Sequence, residues 1–330
     1  MRTFNVLMLL GPCAAPLVAQ TPRATAPPHG EVRVESFYSA ALGVSKHYVI
    51  YLPPSYASGT RSYPVAYYLH GYGGNESDWM SLAEMDRVAD SVFAGGAAEL
   101  IVVMPDGDDG WYTDWAEPLS YAACMADTML DRRGTTYCTT RNAYATYVAH
   151  DLVAHVDSTY RTRADRRHRG IAGLSMGGYG AITLALTHPD VFAAAASHSG
   201  VLSPMYAGPH PLAGPPRYAV SMDSLRPMWA WAWATIGRAF GSDTASWSAR
   251  DPARLARRLR ATGGPFPALF VDGGTEDDLT DESRVFHAEL GALGVPHQYA
   301  EWPGAHNWRY WRAHVGASLA WLAARLDSTP

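Results

Sequence analysis

A pentapeptide centred on Ser175 has the residue types and spacing of a nucleophile turn. Gly173-Leu174-Ser175-Met176-Gly177 fits the pattern G-x-S-x-G, and Gly178 extends the run of small residues. A serine raised on a sharp turn between a strand and a helix needs strained backbone angles, and glycines beside it avoid clashes. A β-like run precedes the motif at 170–173, and a helical pattern follows at 177–188. The sequence therefore predicts Ser175 as the nucleophile of a covalent mechanism.

A serine hydroxyl needs a base within hydrogen-bond reach and a carboxylate that orients the base. His306 lies in Pro303-Gly304-Ala305-His306-Asn307-Trp308, between the last predicted strand and the last predicted helix. The base is expected at this point of the chain. His287 and His314 fall inside helical patterns, and His297 opens a strand. We therefore expect His306 to be the base.

The orienting carboxylate is expected after the preceding strand, in the loop 273–279. Asp272 ends that predicted strand, and we expect it to make a local turn. The other three candidates lie on the loop, which can bend back towards the histidine: Glu276, Asp277 and Asp278. Spacing alone does not choose among them.

Backbone N–H groups that stabilise developing negative charge complete such a site. One is expected from Met176, directly after the nucleophile. The second is expected from the loop that follows the predicted strand 65–69, which reads His70-Gly71-Tyr72-Gly73-Gly74. Its glycines let the backbone turn its amides inward. Tyr72 N–H is the candidate.

These residues follow short β-like runs that alternate with helical patterns. The runs are 31–38, 46–52, 65–69, 100–104, 170–173, 193–198, 267–272 and 297–302. The first two alternate apolar and polar residues, as an antiparallel edge hairpin does, whereas 101–104 and 269–271 are apolar throughout. The pattern predicts an α/β fold, with a mostly parallel sheet of about eight strands and helices on both faces. Ligands bind at the carboxyl ends of such strands, which is where the candidate residues lie.

Composition narrows the function classes. The chain has 330 residues, of which 48% are hydrophobic and 17% charged, and its formal net charge is -5. No basic stripe is present to hold a phosphate backbone, so nucleic acid is not an expected partner. No downstream stretch of eighteen apolar residues predicts a membrane span. Neither zinc-ligand spacing nor a phosphate-binding loop occurs, and the expected chemistry needs no metal or cofactor.

The N-terminus has the pattern of an export signal. Met1-Arg2 is positively charged, the run 4–10 is apolar, and small residues lead to Ala19. We expect a signal peptide over 1–19, a Pro-rich lead-in over 20–30, and a secreted or periplasmic protein. Loss of Cys13 with the signal leaves Cys124 and Cys138, for which an oxidising compartment favours a disulfide. In the chain-entropy model that bond is worth on the order of 3 kcal/mol.

Five motifs together resemble the esterase family of α/β-hydrolases that includes esterase D (S-formylglutathione hydrolase), bacterial feruloyl and tributyrin esterases, and the mycobacterial mycolyltransferases. The likeness runs from about Lys46 to Trp321. The motifs are His70-Gly71-Tyr72-Gly73-Gly74 with Trp79, Met104-Pro105-Asp106-Gly107 with Trp111-Tyr112, Ala172-Gly173-Leu174-Ser175-Met176-Gly177-Gly178, Gly274-Thr275-Glu276-Asp277, and Gly304-Ala305-His306.

The resemblance implies an α/β-hydrolase, and because no second linker follows the Pro-rich lead-in, we expect a single domain over 31–330. It also selects Asp277 as the acid, because the feruloyl-esterase branch carries its triad aspartate in a G-T-x-D motif. The implied activity is hydrolysis of a small-molecule or carbohydrate-linked carboxylic ester through an acyl-enzyme. The mycolyltransferases carry a glutamate acid and lack a histidine at the position of His70. Since this chain has an aspartate candidate and His70, it is nearer the hydrolases. Acyl transfer is the alternative function, and a non-catalytic binding module is a more distant one.

Two further expectations concern the surroundings of the site. Four aromatic residues are candidates for its wall: Trp79, Tyr112, Trp115 and Trp229, the last on a helix expected to begin at Met228. Four aspartates follow one strand: Asp106, Asp108, Asp109 and Asp114. Gly110 at the third ligand position and the lack of a closing glutamate argue against calcium. We expect a solvated acidic loop that leaves the mouth of the pocket wet. The segment from Cys124 to Cys138 matches no part of the family pattern.

Overall fold

A computed structural model describes residues 29–127 and 137–326, and in it every β-like run of the sequence lies in one sheet. The strands are β1 (Glu31–Ser39), β2 (Val44–Leu52), β3 (Val65–Leu69), β4 (Ile101–Pro105), β5 (Arg169–Leu174), β6 (Ala194–His198), β7 (Ala268–Gly274) and β8 (His297–Trp302). Each predicted run ends within two residues of the observed strand. The predicted signal peptide and most of the Pro-rich lead-in lie outside the described residues.

The strand order is β1-β2-β4-β3-β5-β6-β7-β8. β1 and β2 form an antiparallel hairpin at one edge, β2 pairs antiparallel with β4, and all later pairs are parallel. In the register, Leu69 at the end of β3 lies opposite Gly173 near the end of β5. The loop after β3 and the turn after β5 are therefore neighbours at the same edge of the sheet.

The central strands are covered on both faces because their side chains alternate between two apolar layers. On β3, Val65 and Tyr67 belong to one core cluster, and Ala66 and Tyr68 belong to the other. All five β3 residues are buried. This double burial explains why the strand is apolar throughout rather than alternating.

Twelve α-helices complete the described part of the chain. They are α1 (Asp78–Ser81), α2 (Met85–Ala94), α3 (Tyr121–Ala126), α4 (Tyr144–Thr146), α5 (Val153–Thr159), α6 (Met176–Thr187), α7 (Met222–Met228), α8 (Trp233–Phe240), α9 (Thr244–Ala249), α10 (Pro252–Thr262), α11 (Thr280–Ala292) and α12 (Trp308–Leu326). A π-helical segment, Tyr147–Leu152, joins α4 to α5, and a 3₁₀ turn, Arg166–His168, precedes β5. Helices α2 and α12 contribute to one layer, and α5, α6, α8, α10 and α11 contribute to the other. None of the helices in the described ranges has the length and apolar character of a membrane span.

The acidic loop after β4 is not solvated, which corrects the expectation from its composition. Asp106, Asp108 and Asp109 are at most 8% exposed. Lys46 on β2 is wholly buried, and its Nζ lies 2.6 Å from Asp106 Oδ2 and 2.7 Å from Asp108 Oδ1. Burial raises the pKa of Asp106, but the charge of Lys46 outweighs burial and the pKa lies below its ordinary value. Burial and the charge of Asp106 raise the pKa of Asp108 to about 8, so the buried cation faces one ionised carboxylate at neutral pH and the loop packs inside. Only the fourth aspartate, Asp114, is exposed.

The tryptophan-rich segment also differs from expectation, because no helix begins at Met228. Instead α7 ends there, the chain turns, and α8 begins at Trp233. Trp229 points into the core, where its indole N–H donates to the Pro204 carbonyl at 2.9 Å. Two residues later, Trp231 is 58% exposed. The turn therefore presents one indole to solvent and buries the other.

Candidate active site

Ser175 stands on a strained turn between β5 and α6. Its backbone has φ 54° and ψ -118°, in a region that L-residues rarely adopt. The turn is possible because the residues two positions before and after the serine are glycines, which have no side chain. A Cβ on Gly173 would lie 2.3 Å from the Gly177 carbonyl oxygen, and one on Gly177 would lie 2.4 Å from that of Leu69. The two glycines let strand, helix and neighbouring strand approach closely enough to raise the serine.

His306 and Asp277 meet this serine from the ends of β8 and β7. His306 Nε2 lies 2.9 Å from Ser175 Oγ, and His306 Nδ1 lies 3.0 and 3.2 Å from the Asp277 carboxylate oxygens. Asp277 is buried, and the His306 side chain is 33% exposed. The arrangement can accept the serine proton on Nε2 while the carboxylate holds Nδ1–H and stabilises the imidazolium.

Local contacts fix Asp277 in its ionised form. Burial raises the pKa of this carboxyl, but the hydrogen bond and charge of His306 and the N–H of Leu279 outweigh burial, so the pKa lies below its ordinary value. The Leu279 N–H donates to Asp277 Oδ1 at 2.8 Å. Of the other loop carboxylates, Glu276 and Asp278 are exposed, and no hydrogen bond joins either to His306 in the described part of the chain.

Asp272 does not make the local turn that the sequence suggested. It is wholly buried within β7, where Oδ2 lies 2.6 Å from His198 Nδ1 and Oδ1 accepts from the Tyr310 hydroxyl at 2.8 Å. His198 Nε2 lies 2.8 Å from Ser318 Oγ. These residues form a second Ser-His-Asp arrangement, but all three are 0% exposed. Because a substrate cannot reach these side chains, the arrangement is a hydrogen-bonded network of the core and not a site with a reactive serine.

The loop proposed to donate the second amide lies against the nucleophile. A Cβ on Gly71 would be 2.7 Å from the Leu174 side chain and 3.5 Å from Ser175 Cβ. Met176 is the first residue of α6, so its N–H is at the positive end of a twelve-residue helix. Tyr72 lines the same cavity as Ser175. Tyr72 and Met176 are thus both placed beside the serine.

A cavity of about 420 Å³ opens onto Ser175. Its apolar wall is formed by Leu174, Leu279, Trp231, Trp308 and Trp311, together with Tyr72. Trp311 packs edge-on against His306, with ring centroids 4.9 Å apart. Among the described residues of the lining, the ionisable side chains are those of Asp78, Asp277, Asp278 and His306, and no lysine or arginine is among them. In the described ranges, no three His, Cys, Asp or Glu side chains are grouped to hold a metal ion.

The four aromatic residues expected in the wall are not part of that lining. Trp79 and Tyr112 are at most 1% exposed, and their polar atoms donate to the carbonyls of Leu69 and His70. Trp115 packs towards the disulfide-bonded segment, and Trp229 is buried beneath Trp231 with ring centroids 5.7 Å apart. None of the four belongs to the cavity lining, because Trp79, Tyr112 and Trp229 are buried in the core and the partly buried Trp115 packs against the apolar cluster at the disulfide.

The wall residues that sequence reasoning missed had a signal in the chain. Trp308 and Trp311 follow His306 within five residues, at the start of the helix that carries the histidine loop. Trp231 alternates with the buried Trp229 in the same string. Proximity to the base was a better guide than the helical spacing of the tryptophans, since the segment 229–232 is a turn.

Cys124 and Cys138 are joined by a disulfide, with Cα atoms 5.6 Å apart. Part of the segment between them lies outside the described residues. The described ends pack with Leu119, Tyr137 and Trp115 in a small apolar cluster of their own.

Comparison with known proteins gives consistent results for the sequence and the fold. The family described as Putative esterase has a model that matches residues 39–322. The esterase Rv1288 of Mycobacterium tuberculosis is 29% identical over 290 residues, which cover 83% of this chain and 55% of that protein. An acetyl esterase of Caldicellulosiruptor saccharolyticus is 24% identical over 261 residues, 79% of this chain and 84% of that protein.

Among solved structures, a ferulic acid esterase is similar with a TM-score of 0.66 and 24% identity, covering 90% of this chain and 98% of that one. At this identity the likeness shows the fold, which is that of the α/β-hydrolases. The chain spans about half the length of the first curated relative that it matches.

Proposed function

Because this chain belongs to the Putative esterase family, we propose that it is a serine carboxylesterase in which Ser175, His306 and Asp277 act as the catalytic triad. The observation that carries the proposal is the continuous chain of contacts from Asp277 through His306 to Ser175 Oγ at the floor of an open cavity. The second Ser-His-Asp arrangement, around His198, has no such opening.

In the proposed mechanism Ser175 Oγ attacks the ester carbonyl while His306 Nε2 takes its proton. The amides of Tyr72 and Met176 stabilise the oxyanion. His306 then protonates the leaving alcohol, and water, activated by the same nitrogen, releases the acid from the acyl-enzyme. Asp277 keeps the histidine in the required tautomer.

The direct experiment replaces the nucleophile and the base. Ser175→Ala and His306→Ala should each remove nearly all hydrolysis of p-nitrophenyl acetate, because residues of a triad act as a unit and their losses do not add. Circular dichroism and the unfolding midpoint should stay close to those of the parent protein. Activity of Ser175→Ala within tenfold of the parent would reject the proposal.

The cavity favours an uncharged substrate. Its walls are aromatic and aliphatic, and the ionisable groups that the described residues bring to it, apart from His306, are carboxylates. An anionic ester would meet repulsion from the exposed carboxylate of Asp278, and no lysine or arginine among the described lining residues offsets that charge. This argues for neutral esters, such as acetyl or aromatic acyl esters of alcohols and sugars, over the glutathione thioester used by S-formylglutathione hydrolases, which carries net negative charge.

A matched pair of substrates tests this charge preference. We expect kcat/KM for p-nitrophenyl hexanoate to exceed that for mono-p-nitrophenyl adipate, in which a carboxylate replaces the terminal methyl of the acyl chain, by about tenfold or more. The ratio should fall at high salt and in Asp278→Asn, whereas exposed Asp223→Asn should leave it unchanged. Equal kcat/KM for the two esters would refute the charge preference while leaving the esterase proposal intact.

Acyl transfer to an alcohol is the second candidate, and the resemblance to the mycolyltransferases supports it. Product analysis with a p-nitrophenyl ester and millimolar glycerol or sugar separates the two. A hydrolase gives mainly free acid, and a transferase gives mainly acylated acceptor.

Export of the protein belongs to the same proposal, because the predicted signal peptide and the disulfide both fit an oxidising compartment.

A further inference from the structure

The loop after β4 carries a buried carboxylate that the triad does not use. Asp109 is 4% exposed, and its Oδ1 accepts a hydrogen bond from the Gly73 N–H at 2.6 Å. Gly73 follows Tyr72 directly in the glycine-rich loop beside the nucleophile. A charge-assisted bond to a backbone amide is short and strong, so it fixes that part of the loop. Asp109 thus holds the residue next to the proposed oxyanion donor.

The same loop holds the start of the glycine-rich segment through His70. The Gly107 N–H donates to His70 Nε2 at 2.9 Å, so the ring proton is on Nδ1, which donates to the Gly71 carbonyl at 2.8 Å. The Tyr112 hydroxyl donates to the His70 carbonyl at 3.2 Å. The segment 70–73 is therefore bound at both ends by residues 107–112.

The backbone of the supporting loop, residues 107–112, is strained at several positions. Asp108, Trp111 and Tyr112 have φ values of 46°, 56° and 48°, in the left-handed region that non-glycine residues seldom occupy. A Cβ on Gly107 would lie 2.3 Å from the Tyr112 ring. Conformations of this kind persist where the surroundings dictate them, and they are frequent at functional sites.

The other oxygen of Asp109 leads to the disulfide-closed segment. The Tyr137 hydroxyl donates to Asp109 Oδ2 at 3.3 Å, and Tyr137 directly precedes Cys138. The residues after the disulfide are tied down in turn, because the N–H groups of Thr140 and Arg141 both donate to the Leu42 carbonyl. A line of contacts therefore runs from the disulfide through Tyr137 and Asp109 to the loop beside Ser175.

We propose that Asp109 is a positioning residue that couples Tyr137, which adjoins the disulfide at Cys138, to the oxyanion-stabilising loop and sets the place of the Tyr72 amide. This inference rests on the proposed esterase function. It assigns Tyr137, beside the disulfide, a role in supporting transition-state geometry. Both the formation and the hydrolysis of an acyl-enzyme pass through an oxyanion, so a displaced amide slows both steps.

Pre-steady-state kinetics with a p-nitrophenyl ester test the role. Asp109→Ala should lower the acylation and deacylation rate constants together, by about 10-fold to 100-fold, with little change in KM and a full burst amplitude. Asp109→Asn keeps an acceptor oxygen for the Gly73 N–H, so it should recover most of the loss. Asp165 offers a matched control, because it also accepts a backbone N–H but lies before β5 at the opposite edge of the sheet. Asp165→Ala should leave both rate constants unchanged.

Tyr137→Phe gives a second measurement that does not depend on the folding of Asp109→Ala. It removes the hydroxyl that donates to Asp109 Oδ2, and both rate constants should fall by a few-fold with KM unchanged. The proposal would be overturned if all three variants, Asp109→Ala, Asp109→Asn and Tyr137→Phe, kept the acylation and deacylation rate constants of the parent. So would a reduced burst amplitude with normal rate constants, which marks a purely structural role. Absence of any ester turnover by the parent protein would instead defeat the esterase proposal.

Discussion

Access to solvent distinguishes the two Ser-His-Asp arrangements of this molecule at the scale of single residues. Ser175 and His306 line a cavity, whereas Ser318, His198 and Asp272 are wholly enclosed by the sheet and α12. Hydrogen-bond distances alone do not separate them, since His306 Nε2 lies 2.9 Å from its serine and His198 Nε2 lies 2.8 Å from its own. A nucleophile needs room for a carbonyl carbon beside it, and only the first arrangement provides that room.

The choice of acid gives a prediction at this scale. Asp277→Asn should lower kcat by about 10²-fold to 10⁴-fold, because an amide can favour the wrong tautomer of His306 while preserving shape. Glu276→Gln is the matched control, since Glu276 is exposed and makes no hydrogen bond to His306 in the described ranges. Its kcat should stay close to that of the parent. A larger loss for Glu276→Gln than for Asp277→Asn, measured with the same ester, would show that the acid is misassigned.

At the scale of elements, β-like runs located all eight strands, and for central strands such as β3 and β4 the reason is burial on both faces, which leaves an apolar run in the sequence itself. The positions of Ser175 and His306 followed from the ends of those strands. The burial of the acidic loop could not be predicted from the sequence in this way, because it depends on Lys46, which lies on β2 about sixty residues earlier in the chain. An ion pair between a residue on one strand and residues of a distant loop leaves no local signal in the sequence, so the composition of the loop alone predicted that it is exposed to solvent.

The contact between β3 and α6 gives a prediction at the element scale. Gly177→Ala would place a Cβ 2.4 Å from the Leu69 carbonyl oxygen and 2.5 Å from that of His70, both backbone atoms that cannot move aside cheaply. We expect a loss of about 1–3 kcal/mol in the free energy of unfolding, as for other overpacked sites. The serine turn and the loop 70–74 would be pushed apart, so kcat should also fall.

Gly291→Ala is the control for this prediction. Gly291 lies within α11, and a Cβ there would meet nothing within 4 Å. Alanine has the higher helix propensity, so this change should raise stability by about 0.5–1 kcal/mol and leave kcat unchanged. Urea unfolding and steady-state kinetics of the two variants provide the comparison. Equal stability of Gly177→Ala and the parent would contradict the close approach of helix and strand.

At the scale of the whole molecule, the core contains several ionisable groups that differ in how they are compensated. Lys46 lies against Asp106 and Asp108, and burial with the charge of Asp106 raises the pKa of Asp108 to about 8. His306 Nδ1 lies 3.0 Å from Asp277 Oδ2. Glu282 on α11 is 6% exposed, and its Oε2 accepts from the Ser203 N–H at 2.9 Å. Burial, with the nearby charges of Asp251 and Asp277, raises the pKa of Glu282 well above its ordinary value. The folded protein therefore keeps this carboxyl protonated at pH values where the unfolded chain releases the proton.

The pH dependence of stability follows from that shift. A carboxyl whose pKa is raised by folding makes the unfolded state bind fewer protons, so its contribution to stability declines as pH rises above about 4.5. Glu282→Gln removes the titration and keeps an oxygen that accepts from Ser203. We expect the variant to become more stable than the parent as pH rises from 5 to 8, by up to about 1.4 kcal/mol per pH unit until Glu282 ionises in the folded state. Urea unfolding at pH 5, 6.5 and 8 measures the difference, and exposed Glu117→Gln, which should follow the parent at each pH, is the control. A stability difference between Glu282→Gln and the parent that does not change with pH would mean that Glu282 is already ionised in the folded molecule.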